Sequence, residues 1–70
     1  MSSSVYSVVE LIGASPDSWE QATSNAVEEA ARAFGADLRV AEVTEMDVLI
    51  ENGKIIAYRS KVRVSYKQGA

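Results

Sequence analysis

Glu45 and Asp47 are two carboxylates two positions apart in a stretch that reads as strand, and Arg59, Lys61 and Arg63 repeat a cation at the same spacing. Alternate residues of a strand share a face and lie roughly 7 Å apart, so each set forms a short row of one charge. A carboxylate pair suits a hard cation such as calcium, which takes about six to eight oxygens and would draw the rest from carbonyls, water or a neighbouring copy. A cationic row suits phosphate or carboxylate groups. The 70 residues include no Cys and no His. Disulfides, thiolate or imidazole zinc sites and the common nucleophile–base pairs are therefore excluded, and no glycine-rich phosphate loop occurs. The chain reads as a binder and not an enzyme.

Each set also has a plainer reading. Glu45 and Asp47 would serve equally as a solvated or arginine-paired acidic pair at a subunit contact. The basic row would serve as the partner of Glu42 and of acidic groups on neighbours, since cross-strand charge pairs are common. Trp19, the single tryptophan, opens an apolar stripe and reads as an anchor for the first helical turn. Tyr58 and Tyr66 read as packing aromatics with a polar tip.

These side chains must be positioned by few elements. Residues 5–12 (VYSVVELI) are β-branched and aromatic and stop at Gly13, the composition of a buried strand. Gly13 to Asp17 is turn chemistry, and Ser18-Trp19-Glu20-Gln21 fits a capping box with Ser18 as N-cap. Apolar residues at 19, 22, 26, 27, 30, 31 and 34 mark one helical face, and Gly35 ends it. Asn52-Gly53 is a strong hairpin signal, flanked by residues 38–51 and 54–67.

A two-residue turn puts Glu51 opposite Lys54, and an unbroken ladder then pairs Glu42 with Arg63, Val43 with Val62 and Ala41 with Val64. A single bulge would shift that register. One face carries Ala41, Val43, Val62, Val64 and Tyr66 as the seat for the helix, with Glu45 and Asp47 further along the same side. The other carries Val40, Glu42, Thr44, Met46 and Val48 beside Ala57, Arg59, Lys61, Arg63 and Ser65. The ribbon, about 46 Å long at ~3.3 Å per residue, outruns its helix by roughly 20 Å.

The overhang carries Met46, Val48, Leu49, Ile50, Ile55, Ile56 and Tyr58, and an apolar patch of that kind marks an interaction site. So small a domain buries only roughly 60% of its unfolded surface. Self-association is the expected remedy. The formal charge of −3 argues against nucleic acid, and no apolar run approaches the ~20 residues of a membrane span. A cytoplasmic protein is expected, with residues 1–4 a disordered N-terminus, 5–67 the domain and 68–70 a flexible C-terminus.

In residues 5–13 (VYSVVELIG), 15–20 (SPDSWE), Asn52-Gly53 and Lys61-Val62-Arg63-Val64, the chain resembles the dodecin family, in that family's order and spacing. The resemblance implies an α+β fold: a β-α-β-β subunit whose three-stranded antiparallel sheet curls around one helix, in a hollow dodecamer. It also implies a flavin site, with a Trp early in the second strand and a Gln on the third. Here those positions hold Val40 and Arg59. Valine offers no stacking face and arginine no acceptor, so flavin is not the cofactor expected here. Residues 38–47 (LRVAEVTEMD) instead resemble the calcium dodecins, which implies a homo-dodecameric binding or storage protein for calcium; the spacing of Glu45 and Asp47 makes them the expected metal residues. The alternatives are a flavin-sequestering dodecin and a structural shell without a dedicated ligand.

Overall fold

The structure, a computed structural model, describes residues 5–35 and 37–67. The two expected tails, 1–4 and 68–70, lie outside the described residues. The element order is β1 (Tyr6–Ser15), α1 (Trp19–Phe34), β2 (Leu38–Glu51) and β3 (Lys54–Lys67), the expected β-α-β-β subunit. All pairings are antiparallel and the sheet order is β1-β3-β2.

β1 runs three residues past the expected stop, pairing through Ser15 with Tyr58. Gly13 is not a turn residue. A Cβ there would lie 1.9 Å from the carbonyl oxygen of Ala22, so glycine at this position lets strand and helix approach closely. The turn contracts to Pro16 and Asp17, whose N–H donates to the buried Ser15 hydroxyl at 3.0 Å.

The helix begins and ends where its sequence signals lie. Ser18 Oγ accepts from the Gln21 N–H at 3.0 Å, satisfying one of the unpaired first-turn donors. The reciprocal half of the capping box is absent, because the Gln21 side chain donates forward to Asn25 Oδ1. At the far end Gly35, with φ of 90°, donates its N–H to Ala31 O. Its ψ of −178° is extended and not left-handed helical, a combination nearly confined to glycine.

Ala22, Ala26 and Ala30 are buried at a spacing of four, and Ala26 and Ala30 pack with Val62 and Val64 of β3, with Val9, Leu11 and Leu38 around them. Two aromatic pairs fasten the helix at its ends: Trp19 lies edge-on to Tyr58 at 4.9 Å and Phe34 stacks on Tyr66 at 5.4 Å. Thr23 donates to Ser60 Oγ at 2.7 Å.

The seat of the helix differs from expectation on one side. β3 is the central strand, so α1 straddles β3 and β1, and Ala41 and Val43 of β2 remain exposed. The ribbon extends well beyond the helix, with principal extents of 56 × 19 × 14 Å for the chain. Leu49, Ile50, Ile55 and Ile56 near the turn are exposed, as are Val8, Ile12 and Val40 on the sheet. No helix among the described residues is long and apolar enough to cross a membrane.

Candidate functional site

The hairpin turn is the expected one: Asn52 and Gly53 have φ of 52° and 74°, as a type I′ turn requires. Glu51 pairs with Lys54, Val43 with Val62, Glu42 with Arg63 and Ala41 with Val64. Leu38 pairs with Tyr66, after a register shift between Leu38 and Val40, but residues 40–43 and 50–51 of β2 both keep the unbroken-ladder frame. Between them the frame is different. Glu45 pairs with Lys61, Met46 with Ser60, Asp47 with Arg59, Val48 with Tyr58 and Leu49 with Ala57, with register shifts between Val43 and Glu45 and between Leu49 and Ile50. Thr44 is the additional residue on β2 and Ile56 the additional residue on β3, so the two irregularities cancel.

A one-residue slip moves side chains to the opposite face. Glu45 and Asp47 therefore do not share the helix side with Ala41 and Val43; they stand on the opposite face with Arg59 and Lys61. Met46 and Val48 turn to the helix side beside Ser60 and Tyr58. The exchange is physically favourable, since it sets carboxylates against cations and Val48 against an aromatic. Thr44 supports the bulge by donating its hydroxyl to Lys61 O at 3.2 Å.

On that face every cation of the row has a carboxylate. Arg59 donates from Nε and from an Nη to the two oxygens of Asp47, each at 2.7 Å. Lys61 lies 3.9 Å from Glu45 and Arg63 lies 3.8 Å from Glu10 of β1. Glu42 sits opposite Arg63 in the ladder, but the ion pair forms with Glu10. The arginine hydrogen bonds hold the Asp47 carboxyl below its ordinary range, opposed by partial desolvation, and raise Arg59. The row thus presents little uncompensated positive charge to an anion.

The two carboxylates differ. Both Asp47 oxygens are held by the planar guanidinium fork. Glu45 is 71% exposed and only loosely paired, leaving lone pairs available to a hard cation. Among the described residues, no three acidic side chains of one chain gather as a metal site. Val40 and Arg59 fall on the same face as these carboxylates, Val40 opposite Ser65 and exposed.

One contact had no signature in the spacing. The Trp19 indole N–H donates to the backbone carbonyl of Asp47 at 3.1 Å. Trp19 was legible as an anchor, but only the folded chain brings it to the residue whose carboxylate Arg59 holds.

Comparison with known proteins places the chain. A family model described as Dodecin matches residues 5–68. The protein named calcium dodecin from Mycobacterium tuberculosis (strain ATCC 25618 / H37Rv) is 48% identical over 64 residues, covering 91% of this chain and 89% of that one. Its crystal structure, described as that of a calcium chelating immunodominant antigen with a novel calcium-binding site, superposes with a TM-score of 0.79 at 48% identity, over 93% of this chain and 91% of that chain. The dodecin from Streptomyces coelicolor superposes with a TM-score of 0.90 at 31% identity, over 100% of this chain and 99% of that chain.

Proposed function

The chain belongs to the dodecin family, and from that premise we propose that it is a closed homo-dodecamer that binds a small ligand, with calcium taken up at Glu45 and Asp47 where copies meet. The observation that carries the calcium reading is the exposed Glu45 beside Asp47 on one sheet face, in a chain 48% identical to a protein named calcium dodecin. A single chain does not by itself fit the ion. Two side chains leave most of a calcium shell unfilled, and Arg59 holds both Asp47 oxygens. The fit improves if oxygens come from neighbouring copies, with Glu45 the direct donor and Asp47 a donor once its arginine is displaced.

The dodecamer is supported by what one chain leaves uncovered. Its buried apolar core among the described residues is Ala22, Ala26, Ala30, Val62 and Val64, while Ile50 is 66% and Ile55 is 55% exposed. At roughly 25 cal/mol per Å² of apolar surface, so small a core does little against the conformational entropy of ordering the chain. No catalytic role is assigned.

Light scattering should give a mass near twelve times 7.6 kDa; a stable folded monomer at micromolar concentration overturns the assembly. Calorimetry on chelator-treated protein should show calcium binding that Glu45→Gln abolishes and Asp47→Asn weakens. If the parent binds no calcium, or both variants bind it as the parent does, these residues are a solvated acidic pair.

A further inference from the structure

Residues 40–43 and 50–51 of β2 pair with β3 in one frame, and an unbroken ladder between them would be the simplest way to connect those two stretches. The chain instead inserts a compensating pair of irregularities, between Val43 and Glu45 and between Leu49 and Ile50, and slides residues 45–49 by one position. Interrupted ladders leave residues unpaired, so contacts elsewhere must favour the slid frame. In the unbroken frame Asp47 would stand opposite Tyr58, with its carboxylate on the helix side against Trp19 and Tyr58. That would desolvate a charge beside aromatic rings.

Among the described residues, the one hydrogen bond joining α1 to β2 is Trp19 Nε1–H to Asp47 O. It reaches into the middle of the slid segment, between the two irregularities. The same indole packs edge-on against Tyr58, the residue that Val48 faces in the slid frame and Asp47 would face in the unbroken one. Trp19 is therefore placed to read the frame twice, through the Asp47 backbone and through the side chain opposite Tyr58. Asp47 is held from both sides of the sheet, its carbonyl by the indole and its carboxylate by Arg59.

We infer that Trp19 is a positioning residue that locks residues 45–49 in the slid frame, so that Glu45 and Asp47 project from the face opposite the helix. Its importance for ligand binding rests on the reading of Glu45 and Asp47 given above. The frame itself does not, and can be measured without any ligand.

The absence of native cysteine makes disulfide trapping clean. Leu49→Cys with Ala57→Cys joins partners of the slid frame. Val48→Cys with Ala57→Cys joins partners of the unbroken frame only, because in the slid frame those two side chains point to opposite faces and cannot be bridged. Each pair is oxidised in the full chain with Trp19 and with Trp19→Phe, which keeps a smaller aromatic ring for Tyr58 and removes the N–H together with part of the ring area. Intrachain cross-links are then scored by peptide mapping.

With Trp19, only the Leu49/Ala57 pair should close. With Trp19→Phe, closure of the Val48/Ala57 pair should rise several-fold. Equal yields with and without the indole N–H overturn the proposal. Should Trp19→Phe fail to fold, deuterium exchange of the parent's indole N–H decides: protection of about tenfold or more over a free indole supports the lock, and free exchange overturns it. Because no calcium enters these experiments, their failure overturns the lock alone, and a parent that shows the frame change but binds no calcium in calorimetry would defeat the binding proposal and leave the lock standing.

Discussion

Arg59 and Asp47 face each other across β3 and β2, and the guanidinium takes both carboxylate oxygens at 2.7 Å. The arrangement makes Arg59 a competitor for any cation that would use Asp47. A carboxylate cannot direct both lone-pair sets at a guanidinium fork and also serve a metal ion fully.

Replacing the competitor should strengthen calcium binding. Arg59→Gln removes a positive charge next to the proposed site and frees both Asp47 oxygens, so calcium affinity should rise about three- to tenfold, given the Coulomb term at contact distance in high dielectric. Calorimetry at low ionic strength measures it. Unchanged affinity would mean that Asp47 is not a calcium ligand.

The same pair sets a pH dependence. The folded Asp47 pKa is depressed, chiefly by the arginine hydrogen bonds. The unfolded state therefore binds a proton more readily, and the pair's contribution is fully present above the ordinary carboxylate pKa of about 4. It is lost as pH falls through the lower folded value. Denaturation between pH 5 and 2 should show a flatter pH slope for Asp47→Asn than for the parent. The difference should be small and should shrink in about 0.5 M salt, because both side chains are solvent-exposed.

Gly13→Ala should be severely destabilising. The new Cβ would meet the Ala22 carbonyl oxygen at 1.9 Å and the Ala26 Cβ at 3.0 Å. The obstacle is helix backbone, so no side-chain rotation relieves it. A loss of about 3 kcal/mol or more is expected from overpacking of this kind, read as a lower denaturant midpoint. Wild-type stability would show that α1 can lift from β1 at little cost.

Riboflavin should bind weakly or not at all. Val40 supplies no aromatic face, and Arg59, which has no acceptor, is already committed to Asp47. Fluorescence quenching on titration with protein tests this. Tight stoichiometric quenching would move the functional reading to a flavin-binding dodecin whose pocket uses other residues.

Local chemistry in the sequence was enough for the boundaries of α1 and for the hairpin. Ser18 caps because its hydroxyl reaches an N–H three residues on, Gly35 ends the helix because only glycine readily takes its backbone angles, and Asn52-Gly53 turns because both tolerate positive φ. Each of these depends on a few consecutive residues. The family pattern, too, was carried by short local stretches spread over most of the chain.

The end of β1 and the faces of the carboxylates were not local questions. Gly13 looks like a turn residue until a helix carbonyl is found above it. Glu45 and Asp47 were readable as a pair of acids two residues apart, but their side of the sheet depends on one additional residue, Thr44, inserted in the ladder before them. A bulge leaves the composition and alternation of its strand almost unchanged while reversing the face of the residues that follow it. Its position is decided by contacts from elsewhere in the fold: the indole of Trp19 on one side, Arg59 and Lys61 on the other. The sequence by itself determined that two acids stand two residues apart on one strand, and the tertiary structure alone decided that they share a face with Arg59 and Lys61.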